Sequence, residues 1–201
     1  MPDAVPDVTG RVSRIQQITI AWMCLEAGVS LWAAMRAKSP ALLAFGGDSA
    51  VELLSAVVVW RRFQRNLSDE RAERRAARIA ATLLIILAIF VAATSALSLL
   101  GYSEPGPSYV GVAVLIVAAV FMPWLARRKR RLSAEAQSAA LRADAAESML
   151  CAYLAIIALV GLAIRAVWGF AIADPIAALL IIPFILREAR EAYKGRACCG
   201  D

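Results

Sequence analysis

Residues 79–100 read IAATLLIILAIFVAATSALSLL, 22 residues without one charged side chain. At the 1.5 Å rise of an α-helix, such a run covers the ~30 Å hydrocarbon core of a bilayer. Working outward along the chain, further apolar stretches lie near 15–35, 41–60, 109–125, 143–167 and 172–187. None alternates with the period of two that an outer-membrane strand requires. A helix satisfies its own backbone where water is absent, so the expected fold is an all-α membrane protein, a six-transmembrane-helix bundle. Composition agrees: 61% of the residues are hydrophobic, 19% are charged, and the mean hydropathy is +0.65. A single soluble domain cannot hide so much apolar surface. The soluble globular, disordered and disulfide-rich secreted classes are therefore excluded.

The net charge of +6 finds its explanation in placement. Arg61, Arg62, Arg65, Arg71, Arg74, Arg75 and Arg78 lie between the second and third spans. Arg127-Arg128-Lys129-Arg130-Arg131 and Arg142 lie between the fourth and fifth, and Arg187, Arg190, Lys194 and Arg196 follow the sixth. The connection GYSEPGPS at 101–108 has no basic residue, and the fifth-to-sixth connection has Arg165 alone. The positive-inside rule then puts both termini and both basic loops in the cytoplasm, against a small excess from Arg36 and Lys38. The basic clusters read as topology determinants and lipid-headgroup contacts, not as a nucleic-acid surface. Trp32, Trp60, Trp124 and Trp168 fall near span ends, where amphipathic rings belong. The acidic start MPDAVPDVTG has no basic n-region, so the first span is expected to be a retained helix. The expected organisation is a cytoplasmic segment 1–14, a transmembrane domain 15–187 and a short cytoplasmic tail 188–201, with no C-terminal soluble domain.

Acidic residues at membrane depth carry the functional signal, because each is costly there. They are Glu26 in the first span, Asp48 and Glu52 in the second, Asp144 and Glu147 in the fifth, and Asp174 at the start of the sixth. No Lys or Arg is expected well inside a span to neutralise them. Asp48 and Glu52 are spaced i,i+4 and share a helix face, as do Glu147 and Cys151, with Asp144 one turn earlier. Counted from Trp60 and from Arg142, both pairs lie roughly 12–13 Å from the basic side, so antiparallel helices bring them together near the midplane. Carboxylates with one thiolate suit a four-coordinate divalent ion, zinc above all, with manganese and iron(II) admitted. The chain has no histidine, which removes imidazole ligands and histidine acid–base chemistry. Its cysteines, Cys24, Cys151, Cys198 and Cys199, are too scattered for a disulfide framework. The tail GRACCGD reads as unstructured.

At these residues the chain resembles a known family. LLAFGGDSAVELLSAVVVW (42–60) resembles the second transmembrane helix of the cation diffusion facilitators. LRADAAESMLCAYLAIIALVG (141–161) resembles their fifth helix, and ADPIAALLIIPFIL (173–186) the start of their sixth. The resemblance implies a tetrahedral metal site at Asp48, Glu52, Glu147 and Cys151, with acids in the usual histidine positions and Cys151 in place of an aspartate. It implies proton, gate or anchoring roles for Asp144 and Asp174. Glu26 is expected to face the same cavity.

The implied function is export of a divalent cation, Zn²⁺ foremost with Mn²⁺, Fe²⁺ or Cd²⁺ admitted, by proton antiport. A divalent ion competes with protons for such carboxylates. The partners are then the cation, protons and the lipid bilayer, with a homodimer allowed and no nucleic acid. The metal is substrate, and no prosthetic group is expected. The expected location is the plasma membrane of a bacterium. A rival reading is a non-transporting membrane protein whose metal site modulates a partner. An enzyme is not expected, because no nucleophile constellation or cofactor motif is present.

Overall fold

The computed structural model describes residues 5–65, 70–136 and 138–193. Cys198, Cys199 and the rest of the tail motif lie outside them. The described residues form six helices and no strand: α1 (Val5–Ala37), α2 (Pro40–Arg65), α3 (Glu70–Leu99), α4 (Tyr109–Glu135), α5 (Ala139–Trp168) and α6 (Ala173–Tyr193).

Helix ends follow the local sequence. Ser108 and Ser138 cap α4 and α5, their hydroxyls accepting from the N–H of Gly111 and Leu141. Ser39 does the same for α2, accepting from the N–H of Leu42, with Pro40 next to it at a position where a missing N–H costs nothing. Gly169, at φ 72°, ends α5 in the left-handed conformation that favours glycine.

Five helices contain stretches long and apolar enough to cross a membrane: Gly10–Ala37, Pro40–Val58, Ala81–Leu99, Tyr109–Glu135 and Asp144–Trp168. The sixth expected span is a helix too, but Arg187, Glu188, Arg190 and Glu191 occupy its last turns and shorten its apolar run. The expected fourth span ended at 125, whereas α4 continues through the basic run to Glu135. That extension has a functional consequence described below.

The most extensive helix pairs are α4 on α5, α1 on α2 and α3 on α6, while α2 also meets α3, α5 and α6. Close approach depends on small residues. A Cβ at Gly46 would lie 2.9 Å from Ser30 Cβ and 3.0 Å from the Leu31 backbone nitrogen, so α1 and α2 touch through a glycine. Gly161 does the same against Ala177 and the Ala173 carbonyl, seating α5 on α6.

The bundle buries a largely apolar core with a polar stripe running through it, and its outer surface is apolar. On α3, Ile79, Leu83, Ile86, Ile89 and Phe90 are exposed, as helix surfaces facing lipid chains are. On α1 the inward stripe runs Val12, Ile15, Gln16, Thr19, Met23, Glu26 and Ser30, at helical spacing, and four of those residues are polar. The acids of α2 and α5 meet this stripe.

Candidate cation site

Three helices deliver a common centre. Glu26 of α1, Asp48 and Glu52 of α2 and Cys151 of α5 are all buried. Glu26 receives three donors: the Trp22 indole N–H, the Ser49 hydroxyl at 2.7 Å and the Cys151 thiol at 3.4 Å. The Ser49 hydroxyl also lies 2.9 Å from the Phe45 carbonyl, and its single proton serves one acceptor at a time. The Cys151 sulfur is 3.9 Å from Ser49 Oγ, and Glu26, Glu52 and Asp48 are its charged neighbours. Glu26 thus links the Ser49 hydroxyl of α2 to the α5 thiol.

Asp48 meets a residue that the sequence reading assigned to the tail. Its carboxyl is hydrogen-bonded to Glu188 near the end of α6. An ionised carboxylate has no donor, so two carboxyl groups in such contact call for a proton or a cation between them. Asp48 Oδ1 has no hydrogen-bond partner among the described residues. A signal for Glu188 was present: it lies 14 residues after Asp174, nearly four helical turns, on the face that also buries Ala177, Ala178, Ile181 and Ile185.

Glu147 is half-buried at the edge of the α5 stripe, and it is a charged neighbour of both Glu52 and Glu188. The residue of that turn directed into the bundle is Ser148, which is fully buried and donates to Glu52 Oε1 at 3.0 Å. Among the described residues, no three acids or thiols stand close enough together to hold a metal ion as placed. Asp48, Glu52, Glu147 and Cys151 are neighbours in one acidic cluster without forming a closed coordination shell.

The expectation that no basic residue enters a span is corrected. Lys129 is fully buried, with its ammonium 2.9 Å from Asp144 Oδ2. Helical register explains it. The inward stripe of α4 runs Leu115, Ala118, Met122, Leu125, Ala126, Lys129 and Leu132. Of the five residues Arg127–Arg131, Lys129 alone falls on that stripe, and the four arginines are exposed. A run of five basic residues conceals this when it is read as a loop.

The two remaining sequence candidates separate. Asp144 accepts from Lys129 and, at 2.7 Å, from Gln16 Nε2 of α1, so it ties three helices together. Asp174 accepts from the Ser39 hydroxyl and from the Ala41 N–H at 3.1 Å. These bonds tie the first turn of α6 to the first turn of α2.

A polytopic helical membrane protein with acids turned inward from several helices has the architecture of an ion transporter. Residues 17–194 match the family model for the cation efflux transmembrane domain, and the chain belongs to that family. No curated protein matches it by sequence. The protein is an integral membrane cation efflux transporter whose metal ions are substrates, as the sequence resemblance implied.

Proposed function

We propose that the chain exports a divalent cation, Zn²⁺ foremost, from the cytoplasm by proton antiport through the cluster of Asp48, Glu52, Glu147 and Cys151, with Glu26 and Glu188 at its margin. The observation that carries this reading is the convergence of Glu26, Asp48, Glu52 and Cys151 from three helices on one buried centre. Buried carboxylates without a matching number of cations favour an incoming cation or bound protons. The thiol biases the centre towards zinc and cadmium over harder ions. The contact of Asp48 with Glu188 supports exchange, because such a carboxyl pair takes either a proton or a cation, and a divalent ion bound at Asp48 competes with the proton. Closing the coordination shell needs side-chain movements at Glu147 and Glu52, the kind of rearrangement that alternating access supplies.

Reconstitution into proteoliposomes with an enclosed metal-sensitive dye tests the reading. Metal-dependent flux is expected with Zn²⁺ and is driven by an opposing proton gradient. Asp48→Ala and Glu147→Ala are expected to abolish it. If both variants transport Zn²⁺ as the parent does, the site is elsewhere.

A further inference from the structure

Lys129 has no part in the reading above, and a buried ammonium is costly enough to require an explanation. Its nitrogen donates to Asp144 Oδ2 at 2.9 Å and to Ser148 Oγ at 2.9 Å. An ammonium cannot accept, so Ser148 accepts a hydrogen bond from Lys129 and keeps its own hydrogen to donate. That hydroxyl lies 3.0 Å from Glu52 Oε1 and 3.1 Å from the Asp144 carbonyl. Lys129, Ser148 and Glu52 therefore form a donor chain aimed at one carboxylate of the cluster. One hydroxyl separates the Lys129 ammonium from the Glu52 carboxylate. A buried ion pair of this kind is often replaceable by apolar residues without loss of stability. Packing alone therefore does not account for an ammonium at this position.

We propose that Lys129 is a built-in counter-cation of the acidic cluster, a positioning residue that holds Glu52 through Ser148 and sets how tightly the cluster binds a divalent cation. This rests on the cluster being the cation site. An ion arriving at Glu52 must draw that carboxylate from Ser148 and meets the repulsion of the ammonium. When the ion leaves, Ser148 and Lys129 retake Glu52, so the empty cluster is not left with its full negative charge. Binding is weakened and release is favoured, as a transporter requires.

The test uses the full chain in lipid nanodiscs with Zn²⁺ as the probe, titrated against a chromophoric chelator. Lys129→Gln combined with Asp144→Asn removes one charge of each sign, so no charge is stranded. Because the Lys129 ammonium is linked to Glu52 through Ser148 and the Asp144 carboxylate is bonded to Lys129 behind it, the double variant is expected to bind Zn²⁺ on the order of tenfold more tightly than the parent. Unchanged or weaker binding by the folded double variant overturns the proposal and leaves the pair as a clamp between helices. A measurement on the parent chain covers the case in which the variant does not fold. With lysine side chains labelled with ¹⁵N, and Lys38 and Lys194 assigned by substitution to Arg, the Lys129 resonance is expected to shift on saturation with Zn²⁺. A resonance that stays in place overturns the proposal. Glu52→Gln and Asp48→Ala separate the two levels. If neither weakens Zn²⁺ binding, the cluster reading fails. If both abolish it while Lys129 is insensitive to the ion, only the counter-cation role fails.

Discussion

Asp144 and Asp48 are both buried aspartates on helices facing the same interior, yet their surroundings are opposite. Asp144 is matched by a full ammonium from Lys129 and an amide from Gln16. Each aspartate keeps one carboxyl oxygen with no hydrogen-bond partner among the described residues, but where Asp144 faces an ammonium, Asp48 faces another carboxyl, Glu188. The first arrangement is what a fold does to make a buried charge tolerable. The second sets carboxyl against carboxyl and leaves Asp48 underserved in charge, an arrangement that proteins keep where a ligand completes it. Burial alone therefore does not separate the two acids; the company each carboxylate keeps does.

The largest expected effect breaks the satisfied side of that contrast. Asp144→Ala strands the Lys129 ammonium in a position with no exposure to solvent, and removing one partner of such a pair costs about 3–5 kcal/mol. The variant should fail to accumulate as a folded protein or lose most of its thermal stability in detergent. Adding Lys129→Gln should restore much of that stability, because no charge remains to be stranded. Equal melting of Asp144→Ala and the parent would show that the pair is not what holds α4 and α5 at this level.

The underserved side should respond in the opposite sense. Asp48→Asn keeps the shape, removes a carboxyl from a crowded acidic cluster and supplies a donor for Glu188. Stability should hold or rise, while Zn²⁺ flux into dye-loaded proteoliposomes falls on the order of 100-fold, as expected when a metal site loses a principal ligand. A variant that loses stability and flux in parallel would place Asp48 with Asp144 as a structural acid.

Much of this was legible before any coordinates. The six helices followed from hydropathy, and the α2–α5 pairing from two i,i+4 spacings. What was missed shares one cause. Lys129 and Glu188 lie in charged segments flanking the apolar runs, where hydropathy assigns residues to loop or tail. Helical register continues across that boundary: α4 carries its inward stripe from Leu125 to Lys129, and α6 carries its own from Ile185 to Glu188. A polarity scale sees where the apolar run stops, whereas the helix stops only where a cap ends it. Ser148 was missed for a related reason. It sits beside Glu147 in sequence, but the stripe through Leu141, Asp144 and Cys151 passes through 148. Asp174 could not be apportioned between gate and anchor from sequence, because its partners Ser39 and Ala41 are more than 130 residues away.

A smaller effect probes how closely the α1 side of the cluster is seated. Gly46→Leu places a branched side chain where a Cβ alone would already reach within 3.0 Å of the Leu31 backbone nitrogen. The backbone cannot give way as a side chain end would, so α1 must shift and carry Glu26 away from Ser49. A cost of about 1–3 kcal/mol is expected for the forced packing, with weaker Zn²⁺ binding than in a Gly10→Leu control, where a Cβ has open space. Equal binding by the two variants would remove Glu26 from the cluster's working parts.

The smallest effect belongs to the other satisfied acid. Ser39 serves α2 twice: its hydroxyl accepts from the Leu42 N–H and donates to Asp174. Ser39→Ala removes that cap and should cost about 1 kcal/mol. Asp174 retains the Ala41 N–H, so the brace between α6 and α2 is loosened and not lost. Melting in detergent should register the change, and Zn²⁺ affinity should not, because nothing in the brace reaches Glu26, Asp48, Glu52 or Cys151. A Ser39→Ala variant with normal melting and altered Zn²⁺ affinity would move Asp174 from the anchored acids to the working ones. The contrast between satisfied and underserved carboxylates would then fail at the position where it is easiest to read.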